Sequence, residues 1–285
     1  RASEAAGWLI DFVRRKHDLV IVHGNGPQVG FILRRSEIAD GQVPTVPVQY
    51  AVGDTQGAIG FMFQNALGNA LQQRGIRIPV VTLVTQTLVD RRDPAFTKPD
   101  KPIGSFLTEE VARHLAAQLG WSVMQDGNRG WRRTIASPQP VRVIEAPIIE
   151  RLAREGVLII ACGGGGIAVE ELDNGELHGL EAVIDKDRTS ALLARELQAD
   201  LFIILTGVPQ VMKNFGKKDQ ESLSVLELDE ARRLHARGQF PAGSMGPKIE
   251  AAIDFVATTG RTALITNIEH LEAALEGESG TRLVP

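Results

Sequence analysis

Residues 19–30, LVIVHGNGPQVG, decide how the chain is read. Leu19 to Val22 form an unbroken apolar run, the signature of a strand covered on both faces. His23, Gly24, Asn25 and Gly26 follow, and then Pro27, a residue suited to the first turn of a helix. A strand that passes through glycines into a helix N-terminus lets backbone amides approach an anion closely. The loop therefore poses a chemical question: which anion it holds, and what is done to it.

The same pattern recurs outward from this stretch. Residues 79–89 (PVVTLVTQTLV), 156–166 (GVLIIACGGGG), 200–208 (DLFIILTGV) and 261–267 (RTALITN) read as further strands, the second and third meeting glycine at the carboxyl end. Helices are expected over residues 3–17, from Pro27 onward, over 54–75, after Asp187 and around 248–258. In the first of these, Ser3 is placed to cap, and Ala5, Trp8, Leu9, Phe12 and Val13 fall at helical spacing. Alternating helix and strand predict an α/β fold with a mainly parallel, open sheet.

Residues 88–140 break the rhythm. DRRDPAFTKPDKPIGSF (90–106) has three prolines and little periodicity, and WSVMQDGNRGWRRTI (121–135) reads as two short strands around a turn. This segment is expected to leave the sheet as a protruding subdomain, either a lid or an inert insertion.

Composition narrows the function classes. The chain has 285 residues, 43% of them hydrophobic, enough for one large or two smaller domains. Net charge is −4 and Lys and Arg occur in scattered short groups, so nucleic acid is not an expected partner. The one cysteine, Cys162, rules out an internal disulfide and fits a reducing compartment. No apolar run approaches the roughly 18 residues of a membrane span, and a cytoplasmic protein is expected.

Ligands of open parallel sheets bind beyond the carboxyl ends of the strands. Four glycine-bearing loops fall there: HGNGPQVG, CGGGGIAV, LTGV and FPAGSMGPK. Any one of them is equally explained as a tight turn. No G-x-x-x-x-G-K-[ST] is present. Gly163-x-Gly165-x-x-Ala168 matches a degenerate dinucleotide pattern, but the following IAVEELDNGELHG reads as a hairpin where a helix is required. A nicotinamide or flavin enzyme is thus the runner-up.

Asp185, Lys186 and Asp187 precede a helix, and Lys248 stands in the first turn of another. Such charges are ordinarily solvated, but a lysine set against the helix dipole is explained if an anion lies between them. Two lysines, two aspartates and many glycine amides suit phosphoryl transfer, which needs in-line positioning and positive charge more than covalent chemistry. Cys162 reads as a core residue and His23 as a structural support of its loop. No His/Cys cluster suggests zinc.

VIVHGNGPQVG, DTQGAIGFM, TKPDKPIG, GLEAVIDKD and FPAGSMGPKIEAA resemble, in order and spacing, the carbamate kinases of the amino-acid kinase superfamily. The resemblance implies a three-layer α/β/α sandwich and reversible transfer of phosphoryl from ATP to carbamate, giving ADP and carbamoyl phosphate, with Mg²⁺. It implies a carbamate-binding half, residues 1–156, that includes a lid-like subdomain at 88–140, and a nucleotide-binding half, residues 157–285. Gly24, Asn25 and Gly26 would contact carbamate or carbamoyl phosphate, and Gly163, Gly164, Gly165 and Gly166 would line the same space. Lys186 and Lys248 would neutralise the transferring phosphoryl, Asp187 would orient them, and Lys101 would reach the site from the subdomain. Thr206, Gly207, Ser244 and Met245 would lie on the nucleotide side. The family is usually homodimeric. Its members begin with a strand ending in a Gly-Gly-Asn-Ala loop, absent from residues 1–285, so a longer natural chain is expected. Pro209 removes an amide donor beside the nucleotide residues. The alternatives are a related kinase acting on another small acid or phosphate and a catalytically silent binding protein.

Overall fold

The computed structural model describes residues 7, 9, 17–39, 41–241 and 243–285. Gly7 and Leu9 are helical, His17 is not, and the other residues of the helix expected over 3–17 lie outside the described residues. The chain divides into two compact units, one of Leu19–Gly68 with Ile78–Thr189, the other of Arg1–Asp18, Asn69–Arg77 and Ser190–Pro285. The division after Thr189 differs from the expected boundary at 156/157. The segment 157–189 packs with the residues that precede it.

The first unit runs β1 (Val20–Ile21), α1 (Gly26–Ile38), α2 (Val48–Gln73) as far as Gly68, β2 (Val80–Thr82), β3 (Gln86–Val89), β4 (Lys101–Leu107), α3 (Glu109–Leu119), β5 (Ser122–Gln125), β6 (Trp131–Ile135), β7 (Pro140–Val143), α4 (Ala146–Arg154), β8 (Leu158–Ile160), β9 (Ile167–Glu171) and β10 (Leu177–Gly179), and α5 (Lys186–Glu196) begins in it. β8 lies between β1 and β2 and is parallel to both. It is wholly buried, as its apolar Leu-Ile-Ile run requires. β3 lies between β9, parallel, and β7, antiparallel. Residues 80–89 therefore serve two sheets in turn, β2 pairing with β8 and β3 with β9. The 167–179 hairpin is present, β9 against β10. This excludes the dinucleotide fingerprint, since no helix follows the glycines.

The excursion forms its own antiparallel sheet, in the order β4-β6-β5, with α3 beside it. The β5–β6 pair matches the two strands expected over 121–135. β4 and α3 depart from the irregular chain that the prolines suggested. Pro102 fits within β4 because β4 is an edge strand with a free side. α3 is set by Thr108, whose hydroxyl accepts from the Val111 amide, by Glu109 and Glu110 in the first turn, and by Gly120 in the left-handed C-terminal position. Ile103 of β4 and Ile135 of β6 are buried with Val29, Leu33, Val48 and Val52 of α1 and α2. The base of the excursion is thus part of this unit's core.

The second unit contains β11 (Leu201–Leu205), β12 (Val211–Lys213), β13 (Glu221–Leu223), β14 (Val225–Glu227), α6 (Leu228–Ala236), α7 (Met245–Thr259), β15 (Thr262–Thr266), α8 (Leu271–Glu276) and β16 (Thr281–Val284). The sheet order is β11-β15-β16-β14, with β11 and β15 parallel. Phe202, Ile204, Leu226, Ile249, Phe255 and Ile265 form its core. α7 ends at the left-handed Gly260 and turns directly into β15. Its N-terminus consequently lies toward the carboxyl ends of β11 and β15, the edge at which ligands of such sheets bind.

Candidate active site

In the first unit two glycine loops meet. The β1–α1 loop places Asn25 at the N-cap of α1, yet the Asn25 side chain makes no cap hydrogen bond. Instead Asn25 is buried and its Nδ2 donates to Thr55 Oγ1 of α2 at 2.9 Å. The next residue of α2, Gln56, reaches the other loop. Its Nε2 donates to Thr85 O at 3.1 Å and its Oε1 accepts from Thr85 N at 2.8 Å. Thr85 Oγ1 in turn accepts from the Cys162 amide at 2.7 Å. Consecutive polar residues of one helix thereby hold both loops.

The residues from Gly163 to Gly166 are buried, and Gly163–Gly165 make a single 3₁₀ turn. A Cβ on Gly164 would stand 1.9 Å from Asn25 Nδ2, and one on Gly165 2.7 Å from Ile184 O, with φ of +69° and +96° respectively. Glycine is obligatory here both for conformation and for space. Gly164 N donates to His23 O at 2.8 Å, tying the loops backbone to backbone. Thr87 and Thr189 both donate to Gly165 O, at 2.9 and 3.0 Å. His23 stacks on Phe63 with centroids 5.9 Å apart, and its Nδ1 donates to Gly24 O at 3.1 Å. Burial pushes its pKa below the usual 6.5, with the Gly24 contact opposing, so the ring is neutral at pH 7. This fits the structural role expected for His23. Cys162 is fully buried, as expected of a core residue.

The charges assemble at the head of α5. Asp185 is its cap: its carboxylate accepts from the amides of Asp187 at 2.9 Å and Arg188 at 3.4 Å. Asp187 is buried at 9% exposure and Asp185 is half-buried, while Lys186 between them is exposed. Lys186 lies over Gly24, its Nζ 3.3 Å from where a Cβ on that glycine would be. Lys101, the first residue of β4, donates to Ile184 O at 3.2 Å and pairs with Asp185 at 3.6 Å. Burial lowers the Lys101 pKa below 10.5, and Asp185 only partly offsets this. Burial works to raise the Asp185 carboxyl, but Lys101 and the two amide donors outweigh it and hold its pKa below 3.8. Gly24, Asn25, Gly26, Lys101, Gly163–Gly166, Lys186 and Asp187 thus all fall in the first unit.

Thr206, Gly207, Ser244, Met245 and Lys248 fall in the second. Thr206 follows β11, with its amide donating to Thr266 O at 2.8 Å. Ser244 is the N-cap of α7 but makes no side-chain cap bond, and Lys248 is half-buried in the first turn. The expected nucleotide residues therefore share the carboxyl edge of β11 and β15. Pro209 lies in the bend after Gly207, and nothing in the structure gives it a role.

Sequence reasoning passed over Thr55, Gln56, Thr85 and Thr87. Their signal was present: threonines at 85 and 87 share one face of a strand by its period of two, and Thr-Gln interrupts an apolar, glycine-rich helix. Among the described residues no group of three or more His, Cys, Asp or Glu is placed to hold a metal ion. The residues present fit a divalent cation that arrives on nucleotide phosphates, which needs few protein ligands. No helix among them is long and apolar enough to cross a membrane.

The sequence signature of the Amino acid kinase family matches residues 2–267. A protein named carbamate kinase from Thermococcus kodakarensis is 47% identical over 270 residues, 94% of this chain and 85% of its own length. The carbamate kinase-like protein YahI of Escherichia coli is 44% identical over 282 residues, 98% of this chain and 89% of its own. A solved structure of carbamate kinase from Giardia lamblia bound to AMP-PNP superposes with a TM-score of 0.93 at 39% identity, covering 99% of this chain and 89% of that one. The α/β architecture and the resemblance carried by the glycine and lysine motifs are borne out together: the chain belongs to the amino acid kinase family, in its carbamate kinase branch.

Proposed function

We propose that this chain transfers phosphoryl reversibly between ATP and carbamate, giving ADP and carbamoyl phosphate. The observation that carries the reading is Lys186 laid against Gly24 beside the buried Asn25. That is a loop of small residues with one cation, sized for a very small planar anion. Gly24, Asn25 and Gly26 bind the acid, with Gly163–Gly166 packed behind them. A carbamate oxygen attacks the terminal phosphorus of ATP, and ADP leaves. Lys186 and Lys248 offset the charge on the transferring group, Asp187 orients the lysines, and Lys101 adds a cation at the carbamoyl end. Residues 88–140 serve as a lid-like cover, presenting Lys101 from β4. Thr206, Gly207, Ser244 and Met245 take the nucleotide, so the acid and nucleotide halves follow the two units. Mg²⁺ enters as MgATP and supplies charge neutralisation on the phosphates. A cytoplasmic location belongs to the same reading.

A homodimer belongs to the same reading. Tyr50, Gly57, Ala58, Phe61 and Met62 are exposed along α2, with Phe61 at 68%, an apolar surface of the kind that marks protein contacts. The deciding experiment for the activity is ATP formation from ADP, Mg²⁺ and carbamoyl phosphate by the purified protein. Turnover is expected. Turnover with another acyl phosphate and none with carbamoyl phosphate would replace carbamate with a different small acid.

A further inference from the structure

Thr55 holds its neighbour in one orientation. A hydroxyl has a single proton. That of Thr55 is donated to Val52 O at 2.7 Å, so toward Asn25 the oxygen can only accept. It does so from Nδ2 at 2.9 Å. The opposite flip of the amide would set Oδ1 against the lone pairs of Thr55. Gly164 closes one side of the amide, because a Cβ there would lie 1.9 Å from Nδ2 and 2.5 Å from Oδ1. Among the described residues the bond to Thr55 is the one hydrogen bond of the Asn25 side chain, and Asn25 does not cap α1. What remains for a ligand is Oδ1, an acceptor.

We infer that Thr55 is a specificity-determining positioning residue: by fixing the flip of Asn25 it turns an acceptor toward the amino group of the small acid. The inference rests on the carbamate reading and deepens it by naming how the site tells an amino group from a methyl group. A methyl in that place gives Oδ1 no donor, and a site built to hydrogen-bond an N–H disfavours the isostere that lacks one. Thr55 acts through Asn25 and touches no reacting atom.

The test compares wild type with Thr55→Val, which keeps the shape and removes the acceptor, and Thr55→Ser, which restores it. KM and kcat are measured for carbamoyl phosphate in the ATP-forming direction. Acetyl phosphate, with methyl in place of the amino group, is the competitor whose Ki is determined on the same preparations. For Thr55→Val, KM for carbamoyl phosphate should rise by about tenfold or more, with Ki for acetyl phosphate changing by less than about threefold. Thr55→Ser should stay within about threefold of wild type for both ligands. Equal weakening of both ligands in Thr55→Val would make Thr55 merely structural, and no change in either would also overturn the inference. Should Thr55→Val fail to fold, Thr55→Ala provides the same comparison. Absence of carbamoyl phosphate turnover in wild type would overturn the carbamate reading, and this inference with it, whereas turnover with an unmoved preference overturns this inference alone.

Discussion

At the scale of the residue, the site depends on side chains held against their ordinary tendencies. Asn25 at an N-cap does not cap, and Lys248 stands in the positive first turn of α7. A cation in that place is disfavoured by the helix dipole unless an anion joins it. Lys248→Ala should therefore fold normally and lose about 10²- to 10³-fold in kcat, the effect of removing one preorganised transition-state donor, roughly 3–4 kcal/mol. Steady-state kinetics with a melting curve on the same preparation checks it, and activity within threefold of wild type would remove Lys248 from the phosphoryl site. The glycines and lysines were legible in the sequence because their chemistry is conspicuous: Gly164 has no room for a Cβ, and Lys186 follows an acid at a helix start. The supports were not. Thr55 and Gln56 look like ordinary helix residues until the fold brings Asn25 and Thr85 to them, thirty and twenty-nine positions away.

At the scale of the element, β4 changes what Lys101 can be. The sequence suggested an irregular proline-rich stretch, because Pro99 and Pro102 bracket the lysine and local signals cannot reveal an edge strand whose partner lies thirty residues on. In the structure Lys101 pairs with Ile135, and Ile103 is buried in the core, so the lysine is presented from regular structure. Its lowered pKa gives a test with a definite sign. Burial favours the neutral amine, so Lys101 loses its proton at a lower pH than an ordinary lysine. Carbamoyl phosphate kinetics should then fall on the alkaline side, as pH rises through that lowered value, with the acid side unaffected by this group. Lys101→Ala should lower kcat/KM for carbamoyl phosphate by at least about tenfold and abolish that alkaline limb, while ADP affinity changes by less than about twofold. Lys101→Arg should move the limb to higher pH. A pH–rate profile with ADP titrations decides it, and a fall in ADP affinity with carbamoyl phosphate kinetics intact would tie β4 to the nucleotide.

At the scale of the whole molecule, the compact units divide after Thr189, whereas the functional halves were expected to divide at 156/157. A strand followed by glycines looks like the start of a new half, and only the pairing of β8 with β1 and β2 binds 157–189 to what precedes it. Assembly beyond one chain is tested on α2. Phe61→Glu should convert a dimer to a monomer in analytical ultracentrifugation with the fold intact by circular dichroism, and a wild type that sediments as a monomer would remove the dimer from the reading. The clasp of Gln56 on Thr85 has a further consequence, for how the strands find one another. Residues 80–89 join two sheets, so a slip by one position would turn every side chain of both to the wrong face at once. A side-chain amide that offers a donor and an acceptor to the backbone of one residue, at the point where β8 gives way to β9, imitates a neighbouring strand one residue long. A one-residue slip turns that backbone pair away and leaves a buried amide and a buried glutamine unsatisfied together, each at roughly 1–3 kcal/mol, so Gln56 opposes the slip that would invert both sheets.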